Sequence, residues 1–209
     1  MPTTTVYLIE DDEGSRDSTV CLLGLHGIQS KCFETAEDFL ASELESRVGC
    51  IVTDLVLPGM NGIEMYQKAL EQGWNLPSVI ITAHGDVSSV TNAFRNGVTE
   101  YFEKPVHPER LVQSVKNCIE ASKRAYEFEV RKAVEIQRLR TLTPKERQVL
   151  LFLFEGKTIA EIASEFGVSF QAVARHRIGI LTKLKVEGDV LLLRRILEHD
   201  LESELCRTT

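Results

Sequence analysis

Cys50-Ile51-Val52-Thr53-Asp54-Leu55-Val56-Leu57-Pro58-Gly59-Met60-Asn61-Gly62 reads as a short β-branched strand that ends on a carboxylate and runs into a turn-forming segment with Pro58 and Gly62. Asp54 then stands at the carboxyl end of a strand, facing a loop, which is where open α/β sheets bind ligands. A lone aspartate in that setting is more often a cap or turn former. Its company decides the reading. Glu10-Asp11-Asp12 follows an apolar run from Val6 to Ile9, Thr82-Ala83 ends a run from Val79, and Lys104-Pro105 follows Tyr101 and Phe102. If these strands lie side by side, the four tips converge on one anion and metal site.

Between the strands the pattern is helical. Ser15 to His26 carries Thr19, Leu22, Leu23 and His26 at helical spacing, and Gly27 stops it. Ile28 to Phe33 reads as a second strand, and Thr35 and Asp38 stand in capping-box spacing before Phe39 and Leu40. Helices from about Ile63 to Gln72, from about Val87 to Asn96 and after Pro108 complete five βα units. Such a succession implies an α/β domain with a five-stranded parallel sheet covered on both faces.

At 209 residues and 43% hydrophobic content the chain can bury one or two cores. No apolar run reaches the roughly 18 residues that span a bilayer, and the amino terminus lacks the regions of a signal peptide, so the expectation is a cytoplasmic protein without membrane contact. The five cysteines, Cys21, Cys32, Cys50, Cys118 and Cys206, lack metal-type spacing and read as buried small hydrophobes in a reducing compartment. The net charge of -7 argues against a uniformly basic nucleic-acid coat, but it is unevenly spread. Residues 1 to 122 hold 8 Lys and Arg against 18 Asp and Glu, residues 123 to 140 hold 6 against 3, and residues 141 to 195 hold 9 against 6. Two bodies of opposite character share one chain.

Carboxylates at adjacent strand ends repel one another unless a divalent cation sits among them, and hard oxygen ligands with room for water suit Mg2+. The triplet Glu10-Asp11-Asp12 permits two registers for the metal pair. If Asp54 accepts a phosphoryl group, the metal and Lys104 neutralise the added charge, while the Thr82 hydroxyl and the Ala83 amide bind phosphate oxygens. Val56, two residues past Asp54, offers no hydrogen bond to an attacking water, which favours a long-lived phosphoaspartate.

Glu10-Asp11, Asp54 through Gly62, Thr82-Ala83-His84-Gly85-Asp86 and Phe102-Glu103-Lys104-Pro105 together resemble the receiver domain of bacterial two-component response regulators, over about residues 5 to 122. The resemblance implies a flavodoxin-like fold and transfer of phosphate from a sensor histidine kinase to Asp54, followed by slow hydrolysis. It also implies Mg2+ held by Glu10, Asp11, Asp54 and the Val56 backbone carbonyl. Arg16, five residues beyond Asp11, has the family's usual offset and selects Glu10 and Asp11 as the metal pair over Asp12. Tyr101 is implied to turn inward when Thr82 moves to the phosphate, altering a nearby surface through which two chains pair as a homodimer.

From Pro108 to Arg140 no Gly or further Pro interrupts the chain, and Leu111, Val115, Ile119, Ser122, Tyr126, Val130 and Ala133 recur at three- or four-residue spacing. One long helix is expected, with charged flanks that disfavour a coiled coil. Beyond it, Thr143-Pro144-Lys145-Glu146 is a helix start, and Gly156 is its end. A short helix from Ile159 to Phe166, a turn at Gly167-Val168-Ser169 and a helix from Phe170 to Lys185 make a helix-turn-helix. Val173, Ile180 and Leu184 face a core; Gln171, Arg175, Ile178, Gly179 and Thr182 face outward, with a guanidinium for guanine, an amide for adenine, an apolar branch for a thymine methyl and a glycine for close approach. Ser169, His176, Lys183 and Lys157 flank the groove of double-stranded DNA and meet phosphates. Arg177 falls nearer the core side.

Leu142-Thr143-Pro144-Lys145-Glu146-Arg147-Gln148-Val149-Leu150, Gly156, Ile162-Ala163, Val168-Ser169, Val173, His176-Arg177 and Lys183-Leu184 resemble the LuxR-type DNA-binding domain, and the two halves together resemble the FixJ/NarL family of transcriptional regulators. Ala172, Ala174 and Thr158-Ile159-Ala160 depart from that family's usual residues. The apolar helix from Asp189 to His199 is implied to pair protomers on DNA, and the tail from Leu201 to Thr209 is expected to fray. The reading is a receiver domain at 1–122, a helical linker at 123–140 and a helix-turn-helix domain at 141–209. It is a phosphorylation-controlled transcriptional regulator, with RNA polymerase a further candidate partner. An aspartyl-phosphate enzyme is disfavoured because Val56 stands where such enzymes place a second acid. A signalling adaptor whose carboxy-terminal domain binds protein stays open.

Overall fold

A computed structural model describes residues 3–83 and 87–206. Residues 84–86, quoted above as His84-Gly85-Asp86, lie outside the described residues. The chain divides into two units, residues 1–126 and 127–209.

In the first unit β1 (Thr5–Ile9), β2 (Ser30–Phe33), β3 (Gly49–Asp54), β4 (Ser78–Thr82) and β5 (Glu100–Glu103) pair in parallel in the order β2-β1-β3-β4-β5. Helices α1 (Glu13–Leu25), α2 (Ala36–Ala41), α3 (Gly62–Glu71) and α4 (Val87–Arg95) follow the first four strands. This is the flavodoxin-like arrangement, in which strand order reverses between β1 and β3 and leaves a crevice at their carboxyl ends. Alternation along the strands builds a core on each side. Tyr7, Ile9, Ile51 and Ile80 join Phe39, Ile63 and Met65 on one face; Val6, Leu8, Cys50, Val52, Val79 and Ile81 join Leu111, Val115 and Ile119 on the other. Burying each such aliphatic side chain stabilises the fold by about 1.5–3 kcal/mol.

The turns are set locally. Asp12 caps α1, accepting from the Ser15 amide at 2.7 Å; Thr35 caps α2, accepting from the Asp38 amide at 3.1 Å; Asn61 caps α3. Of the four cysteines whose side chains are described, Cys50 and Cys118 are buried as expected, whereas Cys21 and Cys32 are exposed, because one lies on the outer side of α1 and the other on edge strand β2.

Helix α5 runs unbroken over Pro108–Arg140. Its amino-terminal turns belong to the first unit, where Ser122 is buried and its hydroxyl accepts from the Gly49 amide at 3.1 Å. The apolar spacing read through Val130 and Ala133 does not mark a buried stripe there: Val130 is 47% exposed and Ala133 is exposed. In the second unit Leu139 joins the core of α6 (Pro144–Phe154), α7 (Ile159–Phe166), α8 (Phe170–Leu184), α9 (Asp189–Glu198) and α10 (Glu202–Cys206). Reciprocal capping boxes at Thr143/Glu146 and Thr158/Glu161 start α6 and α7. Gly167, at φ 63°, ends α7 in the left-handed region that glycine adopts most easily. Far from fraying over its whole length, the tail packs as far as it is described. Leu201 and Leu205 are buried, and Arg147 Nη1 donates to the Glu204 carbonyl at 3.1 Å.

Candidate functional site: an acidic strand-end pocket and a helix-turn-helix

Asp54 is the last residue of β3, and Glu10 directly follows β1. Because β1 and β3 pair with Ile9 opposite Thr53, these two carboxylates sit side by side, 8% and 5% exposed. Lys104, just beyond β5, reaches across to both. Its Nζ donates to Asp54 Oδ2 at 2.7 Å and to Glu10 Oε2 at 2.8 Å. Burial pushes the Lys104 pKa down, but the hydrogen bonds to Asp54 and Glu10 outweigh it and leave it raised. One ammonium thus offsets two carboxylates that otherwise repel.

Two further donors reach these carboxylates. The Val56 amide donates to Asp54 Oδ1 at 2.9 Å, which fixes the carboxylate plane. Ser15 Oγ donates to Glu10 Oε2 at 2.7 Å. Arg16 Nη1 donates to the backbone carbonyls of Glu10 at 2.8 Å and Asp11 at 3.3 Å, tying down the turn that carries the acids. Asp11 is exposed, and Asp12 is engaged as the cap of α1. Thr82, ending β4, is fully buried, Ala83 is exposed, and Tyr101 on β5 is half-buried against the core that holds Tyr7 and Ile80. Val56 is 60% exposed.

Sequence spacing carried no signal for Ser15 as a partner of Glu10, nor for the double engagement of Lys104. Gly62 is another residue it passed over except as a turn former. A Cβ there would run into the Asp54 backbone carbonyl, and would lie 3.1–3.2 Å from the Thr53 side chain, so α3 starts hard against the end of β3 only because residue 62 has no side chain.

Among the described residues no three acidic, histidine or cysteine side chains sit together as a metal cluster. The fit to Mg2+ rests on the pair: Glu10 and Asp54 aim hard carboxylate oxygens at one cationic atom, the Lys104 Nζ, which is the donor chemistry that ion requires.

In the second unit Val173, Ile180 and Leu184 are buried and Gln171, Arg175, Ile178 and Thr182 are exposed. Ser169 caps α8, accepting from the Ala172 amide at 3.3 Å, and His176 is half-buried. Gly179 does not belong to the open face. It lies against α6, where a Cβ would come within 2.7 Å of Glu146 Oε1. At 100° per residue position 179 borders the core-facing side, and the absence of a side chain there lets the Glu146 carboxylate lie over it. Two of the lysines assigned to the flank are engaged internally. Lys183 Nζ donates to Glu146 Oε2 at 2.6 Å and to the Thr141 carbonyl at 3.2 Å. Lys157 Nζ donates to Glu165 Oε2 at 2.6 Å and stands 3.9 Å from the centre of the Phe152 ring. Thr182 donates its hydroxyl proton to the Ile178 carbonyl at 2.9 Å, so while that bond is kept it meets a ligand as an acceptor. Arg177 Nε meets both Asp189 carboxylate oxygens, at 2.8 and 2.9 Å, tying α8 to α9.

Comparison with known proteins agrees with this architecture. The response regulator receiver domain family matches residues 6–116, and the luxR family of bacterial regulatory proteins matches residues 140–196. The transcriptional regulatory protein FixJ of Rhizobium meliloti (strain 1021) is 34% identical over 194 residues, covering 92% of this chain and 95% of FixJ. TdiR of Thauera aromatica is 28% identical over 90% of this chain and 84% of its own. Among solved structures, the response regulator StyR superposes with a TM-score of 0.82 at 29% identity, covering 93% of this chain and 98% of StyR. The chain belongs to the two-component response regulators that join a receiver domain to a LuxR-type DNA-binding domain. It is thus a transcriptional regulator, with a sensor kinase and DNA as the partners its two domains imply, and not an enzyme of the ordinary kind. No helix among the described residues is long and apolar enough to cross a membrane.

Proposed function

We propose that Asp54 accepts a phosphoryl group from the phosphohistidine of a sensor kinase, and that this modification governs dimerisation and DNA binding by the helix-turn-helix. An Asp54 carboxylate oxygen attacks phosphorus, the P–N bond to histidine breaks and a P–O bond forms. The single observation that carries the reading is the environment of Asp54: a carboxylate 8% exposed at a strand end, its Oδ1 on the Val56 amide and its Oδ2 on Lys104. Lys104 neutralises incoming charge, the Ala83 amide and Thr82 hydroxyl receive phosphate oxygens, and Tyr101 relays their movement to the neighbouring surface. Glu10, Asp11, Asp54 and the Val56 carbonyl would hold Mg2+, which when bound supplies charge neutralisation for the transferred group.

In this reading residues 1–122 are the receiver, 123–140 the helical linker and 141–209 the DNA-binding domain of a cytoplasmic protein. Ser169, Gln171, Arg175, His176, Ile178 and Thr182 meet DNA, with Lys157 and Lys183 exchanging their carboxylate partners for phosphates. Incubation with Mg2+ and acetyl phosphate, followed by intact-mass measurement, tests the first step. One phosphoryl group per chain is expected, and none on Asp54→Asn; an unmodified wild-type chain overturns the reading. Footprinting on genomic fragments tests the second. Sequence-selective protection that strengthens on phosphorylation supports the reading; its absence favours an adaptor that binds protein.

A further inference from the structure

The outward face of α8 carries two stripes. Gln171, Arg175 and Thr182 are polar and exposed. Beside them, at i, i+4 and i+8, stand Phe170, Ala174 and Ile178, one above another on successive turns. Phe170, the first residue of the helix, is 53% exposed and Ile178 is 61% exposed. Neither belongs to the hydrophobic core of its unit, and Ala174 between them presents only a methyl. Folding therefore leaves two large apolar side chains uncovered on the helix that the helix-turn-helix places in a groove, where apolar groups on base edges can cover them.

We infer that Phe170 and Ile178 read the C5-methyl groups of thymines in each DNA half-site, so that this chain selects T·A pairs beside the bases met by Gln171 and Arg175. The inference deepens the proposed function and rests on it. Double-stranded DNA is the occupant because the apolar stripe is continuous with the Gln171 and Arg175 stripe, and because the amino-terminal part of the second helix of a helix-turn-helix meets base edges. Thymine alone among the bases presents a methyl group in the major groove. Eight residues of helix span about 12 Å and stacked base pairs repeat at about 3.4 Å, so the two thymines lie no more than about four base pairs apart. The apolar stripe replaces hydrogen-bond readout along one side of the helix, leaving Gln171 and Arg175 to discriminate the remaining bases.

The test selects duplexes from a random pool with the phosphorylated full-length chain, then replaces each selected thymidine singly with deoxyuridine, which lacks only the methyl group. Wild type is expected to bind about fourfold more weakly for each methyl that is read. Ile178→Asn is expected to lose that sensitivity at one thymine and Phe170→Ala at the other, each keeping it at its partner's position. Ile178→Val is expected to retain most of it. Both side chains lie outside the core, so unchanged melting of the variants verifies that the fold is intact. Equal binding of thymine and uracil duplexes by wild type overturns the inference and leaves the DNA-binding reading standing. Sensitivity that survives in both variants overturns the assignment to these two residues. A phosphorylated chain that selects no duplex overturns the underlying reading itself.

Discussion

The Asp54 pocket and the proposed reading face of α8 treat polar groups in opposite ways. In the pocket, charges are buried and answer one another: Asp54 and Glu10 share the Lys104 ammonium, and Ser15 and the Val56 amide occupy further lone pairs. On α8 the outer side chains Gln171, Arg175 and Ile178 stand open, while charged groups at the edge, Lys183 and Arg177, are engaged with Glu146 and Asp189. A site for chemistry must hold its groups in place before the ligand arrives. A site for reading a surface leaves its central groups open, as with Gln171, Arg175 and Ile178, and holds those at its edge, such as Lys183, on internal partners that a ligand can replace.

The largest effect that bears on this contrast is expected from Asp54→Asn, which keeps the shape of the pocket and removes the proposed nucleophile. Phosphoryl incorporation should fall to zero by intact-mass measurement while melting changes little; incorporation at another residue would break the comparison outright. Gly62→Ala comes next. The added methyl pushes on the Asp54 carbonyl, so a loss of about 1–3 kcal/mol in denaturant unfolding is expected, together with slower phosphorylation. A normal rate would mean that the pocket tolerates displacement of its floor.

Glu146→Gln sharpens the other half. Burial pushes the Glu146 pKa up, but hydrogen bonds from Lys183 and Thr143 outweigh it and hold the carboxyl below its usual range. A depressed folded-state pKa contributes stability above the unfolded value, near pH 4.3, and that contribution is lost as pH falls through the folded value. The variant should therefore be about 1–2 kcal/mol less stable at neutral pH, and its deficit should shrink in melts taken at successively lower pH below about 4. A constant deficit would show that packing, not charge, is lost. The smallest effect is expected from Val56→Asn, which places a hydrogen-bonding group beside Asp54 at an exposed position. Phosphoaspartate decay should quicken about threefold, on the order of 0.6 kcal/mol, and an unchanged lifetime would remove Val56 from the account of signal duration.

Much of the first unit was legible because strand-end chemistry is written in short local runs. Asp54, Glu10, Thr82 and Lys104 each follow an apolar strand, and the order of those runs implied the sheet. What was not legible depends on approach between distant segments. Nothing near Lys104 indicates that it spans Glu10 and Asp54 at once, and nothing near Ser15 marks it as a partner of Glu10. Helical periodicity placed Val173, Ile180 and Leu184 inside because side-chain direction follows from spacing. It could not show that the Glu146 carboxylate lies over Gly179, nor that Lys183 and Lys157 lie within reach of Glu146 and Glu165. The exposed Cys21 and Cys32 were misjudged for a related reason, since a small apolar residue alone does not reveal which face it occupies.

Glu146 closes the capping box of α6, takes the Lys183 ammonium and fills the space that Gly179 leaves open. On the proposed DNA-reading role of α8, transplanting a new operator preference onto this scaffold means exchanging Phe170, Gln171, Ala174, Arg175 and Ile178 as a cassette. Gly179 and Lys183 have to travel with Glu146 as a matched lock. A graft that swaps the whole helix without them would arrive with the right letters and the wrong hinge.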